Sequence, residues 1–277
     1  MIPVVGGSNP LGHPTFPAPQ KWRAPPPSAR ATPSALFAAV QETALAQIAA
    51  NRAGVLRSED PEYLHQLRVG LRRLRAALRA FGALLPKKGA ERLARRTRRA
   101  MRKLGDARDW DVFVAWLESE APPRALLHAA RRRRDRAKAA ARAAISRMEL
   151  EPLAAKRHSK PVKAFAAASL GRLEGKARKQ ARRMDWHDAG ERHVLRIRVK
   201  RLRYASEFFG RRHGGLERLQ DVLGELNDVE VARRLLRALG ASTPVLYRSL
   251  DLRESRLLRA LERMKTSSMG QASGRRG

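Results

Sequence analysis

The chain matches itself. Shifted by 128 residues and without a gap, it sets Pro33 on Pro161, the "FAA" at Phe37 on the "FAA" at Phe165, Leu45 on Leu173 and Asp60 on Asp188. The same shift lays "HQLRVGLRRLRAALRAF" over "HVLRIRVKRLRYASEFF", with His65, Leu67, Arg68, Arg73, Leu74, Arg75, Ala77 and Phe81 on identical partners. A shift of 119 residues then places "LGDARDWDV" (Leu104 to Val112) over "LGELNDVEV" (Leu223 to Val231), so the first copy carries the longer connection. Self-similarity of this length asks for one supersecondary unit built twice. The expected architecture is a tandem duplication.

The unit is helical. Leu, Ala and Arg dominate, β-branched residues are sparse, and apolar positions recur every three or four residues. Thr32-Pro33 and Asp60-Pro61-Glu62 open the first two helices, with proline where its missing N–H costs nothing, and Asp188 with Glu191 forms a start of capping-box type. Pro86, followed by Lys87, Lys88 and Gly89, is expected to end helix two, and Gly105 and Gly224 to end helix three. Asp109 and Asp228 then fall where the next helix needs an N-cap, with Asp111 and Glu230 in its first turn. Pro122-Pro123 and the stretch from Gly240 to Pro244 break the chain before a final helix in each copy. The fold class is therefore all-α: two helical bundles of four or five helices, packed as a pseudo-symmetric pair. Residues 1–31 and 266–277 lack periodicity and are expected to be disordered, leaving 32–265 as the folded unit, with copies at 32–149 and 160–265.

Composition narrows the function. A formal net charge of +33 alongside 43% hydrophobic residues describes a folded protein with a polyanionic partner. The absence of cysteine removes disulfides, thiolate catalysis and cysteine-ligated zinc, and the seven histidines form no H-x-x-x-H pair. Neither metal nor cofactor is expected. No apolar run is long enough to span a bilayer, and the N-terminus lacks the basic and apolar segments of a secretory signal, so no membrane insertion is expected and the cytoplasm is the default location.

The positive charge is ordered. At 3.6 residues per turn, His65, Arg68, Arg72, Arg75 and Arg79 share one helix face, beside a stripe of Leu64, Leu67, Leu71, Leu74, Leu78 and Phe81. The second copy repeats the ridge with His193, Arg196, Lys200 and Arg203, interrupted by Glu207. Each like-charge pair one turn apart costs roughly 0.2 to 0.5 kcal/mol, so a ridge costs about 1 to 2 kcal/mol that a polyanion would remove. Guanidinium groups pair their N–H donors with phosphate oxygens, and a linear run of them suits a linear run of phosphates. The next helix adds Arg95, Arg98, Arg99 and Arg102. "RRRRDRAKAAARAA" (Arg131 to Ala144) surrounds its helix more evenly, which suits a solvated outer face. His65 and His193 are placed to hydrogen-bond an anion or to pack; Asp109, Asp111, Asp228 and Glu230 are accounted for by helix capping.

These blocks together resemble the two halves of a CHAD domain, the conserved histidine α-helical domain: "HQLRVGLRRLR", its copy "HVLRIRVKRLRY", and the paired "LGDARDWDV" and "LGELNDVEV", within residues 33 to 265. The resemblance implies a pseudo-twofold pair of bundles around a central basic cavity or pore that binds inorganic polyphosphate, in proteins associated with polyphosphate granules. Carried onto this chain, the motif positions are His65, Arg68, Arg72, Arg73, Arg75, His193, Arg196, Lys200, Arg201, Arg203 and Tyr204. Arg79 joins them by its place on the ridge, and Arg98 and Arg102 by theirs on the following helix. Many members carry a fused triphosphatase domain, but no E-x-E-x-K signature occurs here, the nearest being "ELEPL" at Glu149, so a non-catalytic role is expected. The competing readings are nonspecific nucleic-acid binding and a phosphoryl-transfer enzyme using His65 or His193. Aromatic residues amount to only 5%, with no interleaved stacking platform and no helix-turn-helix pattern.

Overall fold

In the computed structural model, residues 18–23, 32–158, 161–211 and 214–273 are described, with side chains through Met264. These residues form eight α-helices and no strand: α1 (Pro33–Arg57), α2 (Pro61–Ala80), α3 (Lys87–Ser119), α4 (Arg124–Ser146), α5 (Val162–Arg183), α6 (Ala189–Phe208), α7 (Gly214–Ala238) and α8 (Pro244–Ser273). The expected starts hold for local reasons. The Thr32 hydroxyl accepts from the Ala35 N–H at 3.2 Å with Pro33 in the first turn. Asp60 accepts from the Glu62 N–H at 2.8 Å, and Asp188 from the Glu191 N–H at 2.6 Å. Each aspartate satisfies a donor that the helix itself leaves unpaired.

The expected stops are less faithful. Helix α2 ends at Ala80, a single 3-10 turn follows at Gly82–Leu84, and Pro86 caps the start of α3 instead of ending α2. Gly105 and Gly224 end nothing: α3 runs through the first for 33 residues and α7 passes through the second. An interior glycine costs about 1 kcal/mol. That is small against the burial of Thr97, Ala100, Leu104, Ala107, Val114 and Leu117, whose spacing continues past Gly105. Asp109 and Asp228 are therefore mid-helix residues and not N-caps, and Asp111 and Glu230 are in no first turn. Pro123 does precede α4, and Gly240, at φ +64°, turns the chain ahead of α8.

Two expected disordered segments are partly structured. Ala18 to Arg23 lies against the body, with the Gln20 carbonyl accepting from Asn51 at 3.0 Å and the Trp22 ring 6.2 Å from that of Phe208. Residues 1–17 and 24–31 lie outside the described residues. At the other end α8 continues to Ser273, through most of the segment expected to be unpatterned; residues 274–277 lie outside the description.

The largest core draws on α1 through α6. At its centre Phe37, Phe81, Phe165 and Phe209 pack together, with ring centroids 5.3 to 5.7 Å apart around Phe81. Such ring pairs contribute about 0.5 to 1.5 kcal/mol each beyond area burial. Close approach of α1 and α2 rests on Gly54, where a Cβ would fall inside the Tyr63 ring. Smaller cores fill the space among α3, α4, α7 and α8, and among α6, α7 and α8. The two halves of the chain meet through α2 against α6 and α3 against α7. That junction positions the site.

Candidate anion-binding site

A cavity of about 160 Å³ opens between these helices, lined on α2 by His65, Arg68 and Arg72, on α3 by Arg108 and Asp109, on α6 by Arg196, and on α7 by Asn227 and Asp228. The leucine stripe explains why the cations point inward. Leu67, Leu71 and Leu74 are fully buried against the bundle, and this fixes the rotation of α2. The Arg68 guanidinium rests over Gly105, where a Cβ would meet Nη1 at 3.5 Å.

Three arginines there have buried nitrogens with no partner among the described residues: Nη1 of Arg68, Nε of Arg72 and Nε of Arg196. Such donors cost about 1 to 3 kcal/mol each while unpaired, more for charged groups. Arg196 does donate through Nη1 to the Asn227 carbonyl oxygen at 3.1 Å. Asp109 accepts from Arg234 at 2.9 Å.

The charges bear the mark of crowding. Burial, then Arg72, pulls Arg68 down to about 10, and burial lowers Arg196 with Asp228 working in the opposite direction. Lys200 is driven down to about 7 by burial and by the neighbouring Arg196 and Arg72. His65 is lowered by burial and by Arg72, which favours its neutral form. Asp109 is raised by burial despite Arg68 and Arg234. Cations are therefore held, dehydrated and close together, in a place with too few acids to neutralise them.

A second group adjoins. Burial lowers Arg75, Arg79 and Arg201, the last to about 10, and the charges acting on them are all arginines, including Arg98 and Arg198. Arg98 and Arg102 are exposed on α3. The ridge expected on α2 is thus divided, with Arg68 and Arg72 in the cavity and Arg75 and Arg79 in the group of arginines beside it.

Other expected site residues are engaged elsewhere. Arg73 donates to Glu207 at 2.9 Å and lies over the rings of Trp22 and Tyr204, at 4.6 and 5.1 Å. Arg203 donates to Glu207 at 2.7 Å and to Gln220 at 2.8 Å, and Tyr204 is 5% exposed. The sequence placed Glu207 as an interruption of the basic face; it is the acid on which Arg73 and Arg203 converge, so these two and Tyr204 belong to the α2–α6 packing and not to the cavity. His193 is exposed, 3.1 Å from Asn227, and lines a separate cavity of about 220 Å³ with Arg192 and Glu230. The two histidines do not face one another across the cavity. Arg192, a buried residue with no part in the expected site, donates to the Trp186 and His187 carbonyls and to Glu254 at 2.8 Å.

Sequence reasoning missed Arg108, Asn227 and Arg198, and gave Asp109 and Asp228 a capping role. The signal was present: a helix continued through "LGDARDWDV" puts Leu104, Ala107 and Val114 in the core and turns Arg108 and Asp109 toward α2.

The model of the CHAD domain family matches residues 39–237. Among solved structures, the chain is similar to the CHAD domain of the plant Ricinus communis, at 31% identity and TM-score 0.68 over 87% of this chain and 91% of that one. It is also similar in fold to PptA from Streptomyces chartreusis, at 14% identity and TM-score 0.61 over 85% and 96% of the two chains. No curated protein sequence matches.

Proposed function

The chain belongs to the CHAD domain family, and from that premise we propose that it binds inorganic polyphosphate without catalysing its turnover, through the cavity between α2, α3, α6 and α7. One observation carries the reading: Arg68, Arg72 and Arg196 bring unpaired, buried N–H donors to one space. An oxyanion there gains charge-assisted hydrogen bonds and relieves the repulsion among the cations. A linear chain of phosphates extends from Arg68, Arg72, Arg108, Arg196 and Lys200 toward Arg75, Arg79, Arg98 and Arg201, which a single phosphate group would leave uncompensated. The reading includes the tandem duplication. In its support, Asp60 and Asp188 cap corresponding helices and the corresponding phenylalanines of both halves share one core. Neutral His65 serves as a hydrogen-bond donor to an oxyanion and not as a phosphoryl acceptor. In the cell the protein would sit at polyphosphate granules.

The test compares long-chain polyphosphate with duplex DNA across a salt series. A chain enclosed by cations from several helices keeps its affinity through moderate salt better than a duplex contacted on one face, whose binding falls steeply as counterions compete. Equal affinities for the two polymers near physiological salt would sink the proposal in favour of nucleic-acid binding. Replacing Arg68, Arg72, Arg196 and Lys200 by Ala should weaken polyphosphate binding by two orders of magnitude or more while leaving the helical circular dichroism unchanged.

A further inference from the structure

The same cavity has a wall that phosphate cannot use. Part of its lining is apolar: Val112, Phe113 and Trp116 from α3, Val231 and Ala232 from α7 and Leu250 from α8, with Arg253 one turn beyond Leu250. Trp116 is held in place, its indole N–H donating to Glu120 at 3.0 Å and its ring 5.7 Å from that of Phe113. Asp109 and Asp228 line the same cavity, acceptors that repel a phosphate but take hydrogen bonds from hydroxyl or amino groups. An inorganic chain has neither an apolar face nor a donor to offer.

We propose that a nucleoside polyphosphate such as ATP also docks at this cavity, its phosphates on Arg68, Arg72 and Arg196, its base against Trp116 and its sugar or base donors on Asp109 and Asp228, with part of the molecule outside, since about 160 Å³ does not enclose a whole nucleotide. The inference rests on those arginines being phosphate ligands, as above, and adds a binding partner of a different class. Stacking on an aromatic ring tolerates any base and is strong enough for about a tenfold preference or more.

Titrating the full chain with ATP and with inorganic tripolyphosphate, at fixed ionic strength and without divalent cations, isolates the base. Tripolyphosphate carries the greater charge, so electrostatics alone favours it. The expected result is that ATP binds about tenfold more tightly, and that Trp116→Leu removes this preference while tripolyphosphate affinity stays the same. Tripolyphosphate binding as tightly as ATP, or a preference that survives Trp116→Leu, overturns the inference. If long-chain polyphosphate binds while ATP shows no preference, the nucleotide inference alone fails. If neither tripolyphosphate nor long-chain polyphosphate binds, the function proposed above fails with it.

Discussion

Lys200→Met should make the protein more stable and a poorer binder at once. Burial and two neighbouring arginines lower Lys200 from its ordinary 10.5 to about 7. At about 1.36 kcal/mol per unit, holding that ammonium charged in the fold costs on the order of 5 kcal/mol. Relaxation of the site reduces the figure, and about 2 kcal/mol is a fair expectation for the gain on replacing the charge with an isosteric apolar chain. For a chain of this size that raises Tm by about 4 to 8 °C. The pH dependence identifies the cause. Because the folded value lies below the unfolded one, the unfolded chain binds the extra proton between about 7 and 10.5. Wild-type stability therefore rises across that window relative to the variant, and the two converge above it. Thermal melts at pH 6, 8 and 10 follow this directly. Polyphosphate affinity at neutral pH should fall by about tenfold or more, since a charge-assisted contact contributes about 1.5 to 3 kcal/mol. A variant that is less stable than wild type, or equally tight for polyphosphate, would show that Lys200 serves packing and that the crowded cations are not a ligand site.

Further outcomes follow from the same geometry. Polyphosphate binding should take up protons, because an anion restores the charged form of Lys200; calorimetry in buffers of different ionisation enthalpy near pH 7.5 should show net uptake, and affinity should decline as pH rises from about 7 to 9. Gly54→Ala places a methyl group in the Tyr63 ring and should cost about 1 to 3 kcal/mol in chemical denaturation, with no effect on binding beyond that of lost stability. Arg192→Ala leaves the Trp186 and His187 carbonyls without their donor and half-buried Glu254 with Arg233 alone, and should cost about 1 to 3 kcal/mol in chemical denaturation; an equally stable variant would contradict the role given to that network.

Much of the helical order was legible because it depends on neighbours in sequence. Asp60, Asp188 and Thr32 cap what their spacing said they would cap, and the leucines of α2 are buried as their period required. What failed was decided at longer range. Gly105 looks like a stop in isolation; tertiary burial on either side outweighs its backbone cost. The arginines were recognisable as a set, but Arg73 and Arg72 are adjacent in sequence and face different partners. Their sorting depended on Glu207, Trp22 and Tyr204, which no local pattern connects to α2. The acids at Asp109 and Asp228 were misread for the same reason, since a carboxylate in a helix interior declares its purpose only through what lies across from it.

The phenylalanine cluster sets how this protein can be divided. Phe37 and Phe81 come from one side of the segment at 159–160, and Phe165 and Phe209 from the other, so neither fragment cut there would close its own interior. The strand of chain before the cut stays with the first fragment, held by the Lys156 N–H on the Leu84 carbonyl. Two such pieces, each with some of the site arginines and two of the four rings, would be unsatisfied apart and complementary together. Reassembly would then report on the anion, making the molecule a natural candidate for a split sensor.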